Sequence, residues 1–122
     1  MLAPGFSVFL LSLSRSDAFK EQMIATRDDD GRHLRLKLRG RLEVRLPESQ
    51  VSGYLWEFRG GCPCLRLDDS GYAEWGPARF TGLGERSWYF AAVATGGCRL
   101  DFYLVRPWSA PSREYSLMIT VM

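Results

Sequence analysis

An all-β sandwich is the fold class this sequence predicts, and three observations predict it. Apolar and polar residues alternate in six segments, the period of a half-buried strand. Clusters of Gly, Pro, Asp and Ser punctuate the chain between those segments. After residue 27 no convincing helical period appears. Seven to eight short strands with turn signals between them fit an immunoglobulin-like sandwich.

The elements follow in order. Leu34, Leu36 and Leu38 alternate with Arg35, Lys37 and Arg39, and Leu42, Val44 and Leu46 alternate with Glu43 and Arg45. With Gly40 as a tight turn between them, these segments predict a hairpin. Tyr54, Trp56 and Phe58 share one face of the next strand, which is read as central, with Trp56 as its core aromatic. Arg59 to Cys64 is a long turn, and Leu65 to Leu67 a short strand ending at the acidic turn Asp68-Asp69-Ser70-Gly71. Trp75 to Phe80 leads into a Gly-x-Gly loop around Gly82, Leu83 and Gly84. Trp88, Phe90 and Ala92 alternate up to Gly96-Gly97, a turn into the Cys98 to Val105 strand. Tyr115, Leu117, Ile119 and Val121 form the last strand. The expected core is Leu36, Leu38, Leu42, Val44, Trp56, Phe58, Trp88, Phe90, Leu100, Phe102, Leu117 and Ile119.

Composition bounds the function. The chain has 122 residues, 46% hydrophobic and 25% charged, ordinary values for one globular domain. The organisation predicted is an N-terminal appendage over 1–22 and a sandwich domain over 23–122. Within the appendage, Phe6 to Leu13 is an apolar run of signal-peptide length without a basic region before it, too short to span a bilayer as a helix. Ser16 to Arg27 has the makings of a brief helix, with Phe19, Met23 and Ile24 on one side.

A net charge of +2 gives no case for nucleic acid. Arg32, Arg35, Lys37, Arg39, Arg41 and Arg45 crowd into fourteen residues, first of all as a solvated face. Three cysteines indicate no disulfide framework: Cys62 and Cys64 are spaced too tightly to pair easily. Cys98 runs in phase with Leu100 and Phe102 and is expected to point inward, leaving Cys62 and Cys64 accessible; a bridge from Cys98 to either stays open. The spacing is not that of a zinc site, and His33 is the sole histidine, so no metal or cofactor is expected. A nucleophile would have no base beside it, so the chain does not read as an enzyme. Asp28-Asp29-Asp30-Gly31 lacks calcium-loop spacing. Gly82-Leu83-Gly84 lacks the helix that a phosphate-binding loop requires.

What remains is a binding surface. Pro107 has no backbone donor and stops the strand ending at Arg106, leaving Trp108 beside a guanidinium on a Pro-stiffened loop. Such a pair anchors well on another protein, unless the Trp folds back onto its own sandwich edge.

The order of motifs is specific: a loop ending in Gly53-Tyr54-Leu55-Trp56, then Gly82-Leu83-Gly84, then Arg106-Pro107-Trp108. Together they resemble the chagasin family, proteinaceous inhibitors of papain-like cysteine proteases, over about residues 23–122, nearly all of the chain. The resemblance implies a reversible inhibitor in which three loops at one end of the sandwich wedge into the protease cleft. The family's Asn-Pro-Thr-Thr-Gly loop falls on Ser49, Gln50, Val51, Ser52 and Gly53, of which only the glycine is identical. Its Gly-x-Gly-Gly loop falls on Gly82, Leu83, Gly84 and Glu85, with the last glycine replaced. Arg106, Pro107 and Trp108 match the third motif outright. The partner implied is a papain-like cysteine protease bound by a monomer, with no nucleic acid and no membrane, in a periplasmic or secreted setting. The alternative is an immunoglobulin-like module that keeps the fold and binds another protein.

Overall fold

The computed structural model describes residues 22–75 and 82–122. Its strands in chain order are β1 (Gln22–Ala25), β2 (His33–Leu36), β3 (Arg41–Ser49), β4 (Leu55–Arg59), β5 (Leu65–Glu74), β6 (Leu83–Ala92), β7 (Gly96–Arg106) and β8 (Ser109–Val121). They form two four-stranded sheets, ordered β1-β3-β6-β5 and β2-β8-β7-β4. The predicted sandwich is what forms. The apolar run of residues 6–13, residues 16–21 of the expected helix, and residues 76–80 of the expected Trp75 to Phe80 strand lie outside the described residues.

Alternation sets the core. Leu42, Val44 and Leu46 of β3 face Leu100 and Phe102 of β7 and Leu117 and Ile119 of β8, all buried. Phe102 is the centre of an aromatic cluster, with ring centroids 4.7 Å from Trp88, 5.2 Å from Phe58 and 5.7 Å from Tyr115. Each large side chain enclosed here contributes about 1.5–3 kcal/mol relative to exposure, so the packed face, more than any loop, holds the two sheets together. Tyr115 also donates a hydrogen bond to the Thr26 carbonyl at 2.7 Å. Burial, helped by the Asp29 and Asp30 carboxylates, pushes its hydroxyl well above the usual tyrosine range, so it stays a donor.

Five expectations change. The segments around Gly40 are not a hairpin: β2 pairs parallel with β8 and β3 antiparallel with β6, so the chain crosses between sheets there. Leu38 consequently sits in the crossover, 43% exposed, because β2 ends at Leu36 and Arg39 adopts a positive φ of 73°. Gly40 is required by closeness, since a Cβ there would lie 2.8 Å from the Lys37 carbonyl oxygen. Gln22–Ala25 is a strand beside β3 and not part of a helix. The acidic turn at residues 68–71 is absent: β5 runs on to Glu74, a bulge near Asp68 absorbing the extra residue. Finally, β4 is an edge strand, although Trp56 is buried as expected.

The cysteines also differ from expectation. Cys62 and Cys98, with Cα atoms 5.6 Å apart, form a disulfide that joins the β4–β5 loop to β7. Cys64 is the buried, free thiol. The Val93 and Ala94 amides both donate to the Cys64 carbonyl and hold Cys64 against the core, whereas Cys98 near the start of β7 sits half-buried. Unreduced native protein should therefore expose no reactive thiol, and one per chain after denaturation. Rapid native labelling by a chromogenic disulfide reagent would contradict this pairing.

Candidate functional site

Strand register brings three segments to one end of the sandwich. Ser49 pairs with Leu83, Leu55 with Val105, and Arg106 with Ser109. The β3–β4 loop, the start of β6 and the β7–β8 turn are therefore neighbours, and the cysteines lie at the far end, where Leu65 pairs with Ala92.

The β3–β4 loop is a closed turn. Gln50–Ser52 makes one turn of 3-10 helix ending at Gly53, whose φ of 79° is left-handed and suits glycine. Ser52 fastens it: its hydroxyl donates to the Ser49 carbonyl at 2.8 Å and accepts from the Tyr54 amide at 3.1 Å. Val51 is thrust outward, 76% exposed. A Cβ on Gly53 would meet Arg106 Cδ at 3.5 Å and Trp108 Cη2 at 3.9 Å, so this loop leans on the third segment.

Gly82 joins the second segment to the first. Its φ is 68°, and a Cβ there would approach Val51 Cγ1 to 3.0 Å. Its carbonyl accepts the Gln50 amide and the Tyr72 hydroxyl, both at 2.8 Å. Leu83 beside it is exposed. Gly84, expected in a loop, belongs to β6 together with Glu85. A side chain at Gly84 would collide with the Ala73 carbonyl and the Tyr72 ring, so this glycine permits close strand packing and is not a flexible tip.

In the third segment Pro107 and Trp108 form a tight turn, and β8 starts at once at Ser109. Trp108 is 71% exposed and does not fold back onto the sandwich. Arg106 is half-buried; its guanidinium lies 4.1 Å from the Tyr54 ring centroid and 5.6 Å from that of Trp108, and Nη2 donates to the Tyr54 hydroxyl at 2.7 Å. Arg106 thus sets the orientation of the turn from below.

Beneath these segments lies a polar network that the motifs did not reveal. Glu48 is 4% exposed. Its carboxylate accepts from the Trp56 amide at 2.7 Å, from Arg86 Nε at 2.9 Å and Nη2 at 2.8 Å, and from Gln50 Nε2 at 3.3 Å. One side chain thereby links β3 and β6 of one sheet to β4 of the other, directly under the Val51 loop. The Trp56 indole adds a bond to the Pro47 carbonyl at 2.9 Å. Contact with Glu48 raises the pKa of Arg86 above its ordinary value, with desolvation opposing, and its guanidinium rests 5.4 Å from the Tyr72 ring centroid. The signal was present in the alternation: Glu48 is in phase with Leu42, Val44 and Leu46, and Arg86 with Trp88 and Phe90.

What the arrangement offers is an ordered, mainly apolar ridge of Val51, Leu83 and Trp108 held from beneath. Comparisons with known proteins bear on the family and the fold. The family described as chagasin family peptidase inhibitor I42 matches residues 35–121. Among solved structures, the cysteine protease inhibitor EhICP2 from Entamoeba histolytica superposes with a TM-score of 0.75 at 17% identity, over 84% of this chain and 97% of that one. Amebosin follows the same fold at a TM-score of 0.69 and 19% identity, over 83% and 98% of the two chains. PbICP-C, solved in complex with falcipain-2, gives 0.50 at 17% identity over 92% and 96%. At these identities the likeness is one of fold. No curated protein sequence matches the chain.

Proposed function

Because the chain belongs to the chagasin family of peptidase inhibitors, we propose that it inhibits papain-like cysteine proteases reversibly, its loop end wedging into their active-site cleft. The observation that carries this reading is the convergence of the exposed Val51, Leu83 and Trp108 on one ridge, with Gly82 packed against Val51 and Gly53 against Arg106 and Trp108. It accords with what the structural relatives are: EhICP2 is a cysteine protease inhibitor, and PbICP-C was solved bound to falcipain-2.

The geometry suggests how such a wedge blocks a protease without being cut. A substrate lies extended across the nucleophile, whereas residues 50–52 are coiled into a 3-10 turn closed by Ser52 and Gly53. No extended peptide bond is presented for in-line attack. Val51 covers the catalytic Cys–His pair, and Trp108 with Arg106 grips one wall of the cleft while Leu83, backed by the buried Gly82, meets the other. Preformed loops lose little conformational entropy on docking. The inhibitor acts as a monomer, through contacts to protein alone.

Because no covalent step is involved, papain with its catalytic thiol alkylated by a small reagent should still bind. In calorimetric titration of that form, Val51→Asp should bind at least about tenfold more weakly than Val51→Ala, since an unpaired carboxylate buried at the centre costs several kcal/mol. Equal affinities of the two variants would remove Val51 from the interface.

A further inference from the structure

At the end of the sandwich opposite the loop ridge, Cys62, Cys64 and Cys98 bring their three sulfur atoms within 4.8 Å of one another. We propose that, once the Cys62–Cys98 disulfide is reduced, these three thiols form a site for one soft monovalent cation, Cu(I). Three observations carry this. First, sulfurs held about 2.3 Å from a shared ion in a trigonal plane lie about 4 Å apart, and all three sulfurs already lie within 4.8 Å of one another, so a reduced Cys62 and Cys98 need only separate slightly to reach that spacing. Second, the position of the third sulfur is built by the fold. The Cys64 carbonyl accepts from Val93 at 2.9 Å, the Leu65 amide donates to the Cys62 carbonyl at 3.1 Å, and Gly96 leaves the room for Cys64 Sγ that a Cβ would invade at 3.0 Å. Third, the ligand set selects the ion. Among the described residues no histidine or carboxylate joins the group, and Cys64 is buried. Three thiolates in a partly dry pocket suit a soft cation of low coordination number; Zn(II) would need a fourth ligand.

The chemistry balances with a dithiol or phosphine as reductant. Two electrons and two protons convert the disulfide into the Cys62 and Cys98 thiols; a dithiol supplies both and leaves as its own disulfide, whereas a phosphine supplies the electrons and water the protons and the oxygen of the phosphine oxide. Binding Cu(I) then releases the thiol protons as three Cu–S bonds form. Disulfide and metal are alternatives at one place, so the site is open only in the reduced protein.

The test uses the full chain, reduced, freed of reductant without oxygen, and titrated with Cu(I) against a chromogenic Cu(I) chelator. Reduced wild type should take one Cu(I) per chain, and the oxidised protein should leave the chelator loaded. Cys64→Ser keeps the disulfide pair and should weaken binding at least about tenfold, since even loss of an outer-shell partner of a metal ligand costs that much. The same titration in concentrated urea separates a folded site from three thiols on an open chain, and affinity should fall by at least about tenfold there too. No uptake by the reduced protein, equal affinity of Cys64→Ser, equal affinity in urea, or uptake by the oxidised form would each overturn the proposal.

Discussion

Glu48→Ala should lower the unfolding free energy by about 3 kcal/mol or more, the range for breaking one side of a buried ion pair. The Glu48 side chain is fully enclosed, and three kinds of donor converge on it: a strand amide, a guanidinium and a loop amide. Removal leaves the Trp56 amide unpaired at an edge strand and the Arg86 charge without its counter-ion. For a domain of this size the melting temperature should drop by about 10 °C or more. Inhibition should weaken as well, because Gln50 and the start of the 3-10 turn lose their floor. Glu48→Gln keeps an acceptor and should cost less. The double variant Glu48→Leu with Arg86→Met separates the two consequences: removing both charges should recover much of the stability, yet leave the Val51 loop untied and inhibition poor. A melting temperature for Glu48→Ala within about 2 °C of wild type would mean that the network is ornamental.

Trp108→Ala should behave in the opposite way, sparing the fold and damaging the function. Trp108 is largely exposed, and truncation of an exposed residue usually shifts stability by no more than about 0.5 kcal/mol. As an anchor in a protease cleft it should contribute about 2 kcal/mol or more, a loss of roughly 30-fold in inhibition constant. Arg106→Ala should reduce inhibition too, but with some loss of stability, since its guanidinium stacks on Tyr54 and bonds to the hydroxyl. An unchanged inhibition constant for Trp108→Ala would take the tight turn out of the interface.

How far the sequence led follows from the physics of each element. Period-two alternation located β3, β6, β7 and β8 and nearly all of the core, because a residue's face within a strand is a local property. Partner choice between strands is not local. The two leucine-rich segments around Gly40 look like a hairpin in sequence, yet they sit in different sheets. The Asp68-Asp69-Ser70-Gly71 run has turn composition, but pairing with β6 over the whole length of β5 outweighs it. At the loop end, motif matching named Gly53, Gly82 and Arg106-Pro107-Trp108. It missed Glu48, Arg86 and Tyr72, and the role of Tyr54 beneath Arg106, all of which arise from where the two sheets bring these residues together. The inward phase of Glu48 and Arg86 was the available clue: two opposite charges on core-facing positions of a sandwich need each other. For the cysteines, phase alone misled, since the disulfide depends on a loop whose path is set by tertiary contacts.

The measurement closest to the central claim is a titration of active papain and of a cathepsin-L-like protease with this protein, a trypsin-like serine protease serving as control. Both cysteine proteases should lose activity completely at micromolar inhibitor or below, and the serine protease should keep its own. Activity should return on dilution, and mass spectrometry afterwards should find the chain uncut. Full activity of both cysteine proteases at micromolar protein would contradict the inhibitor reading and leave an immunoglobulin-like module with some other protein partner.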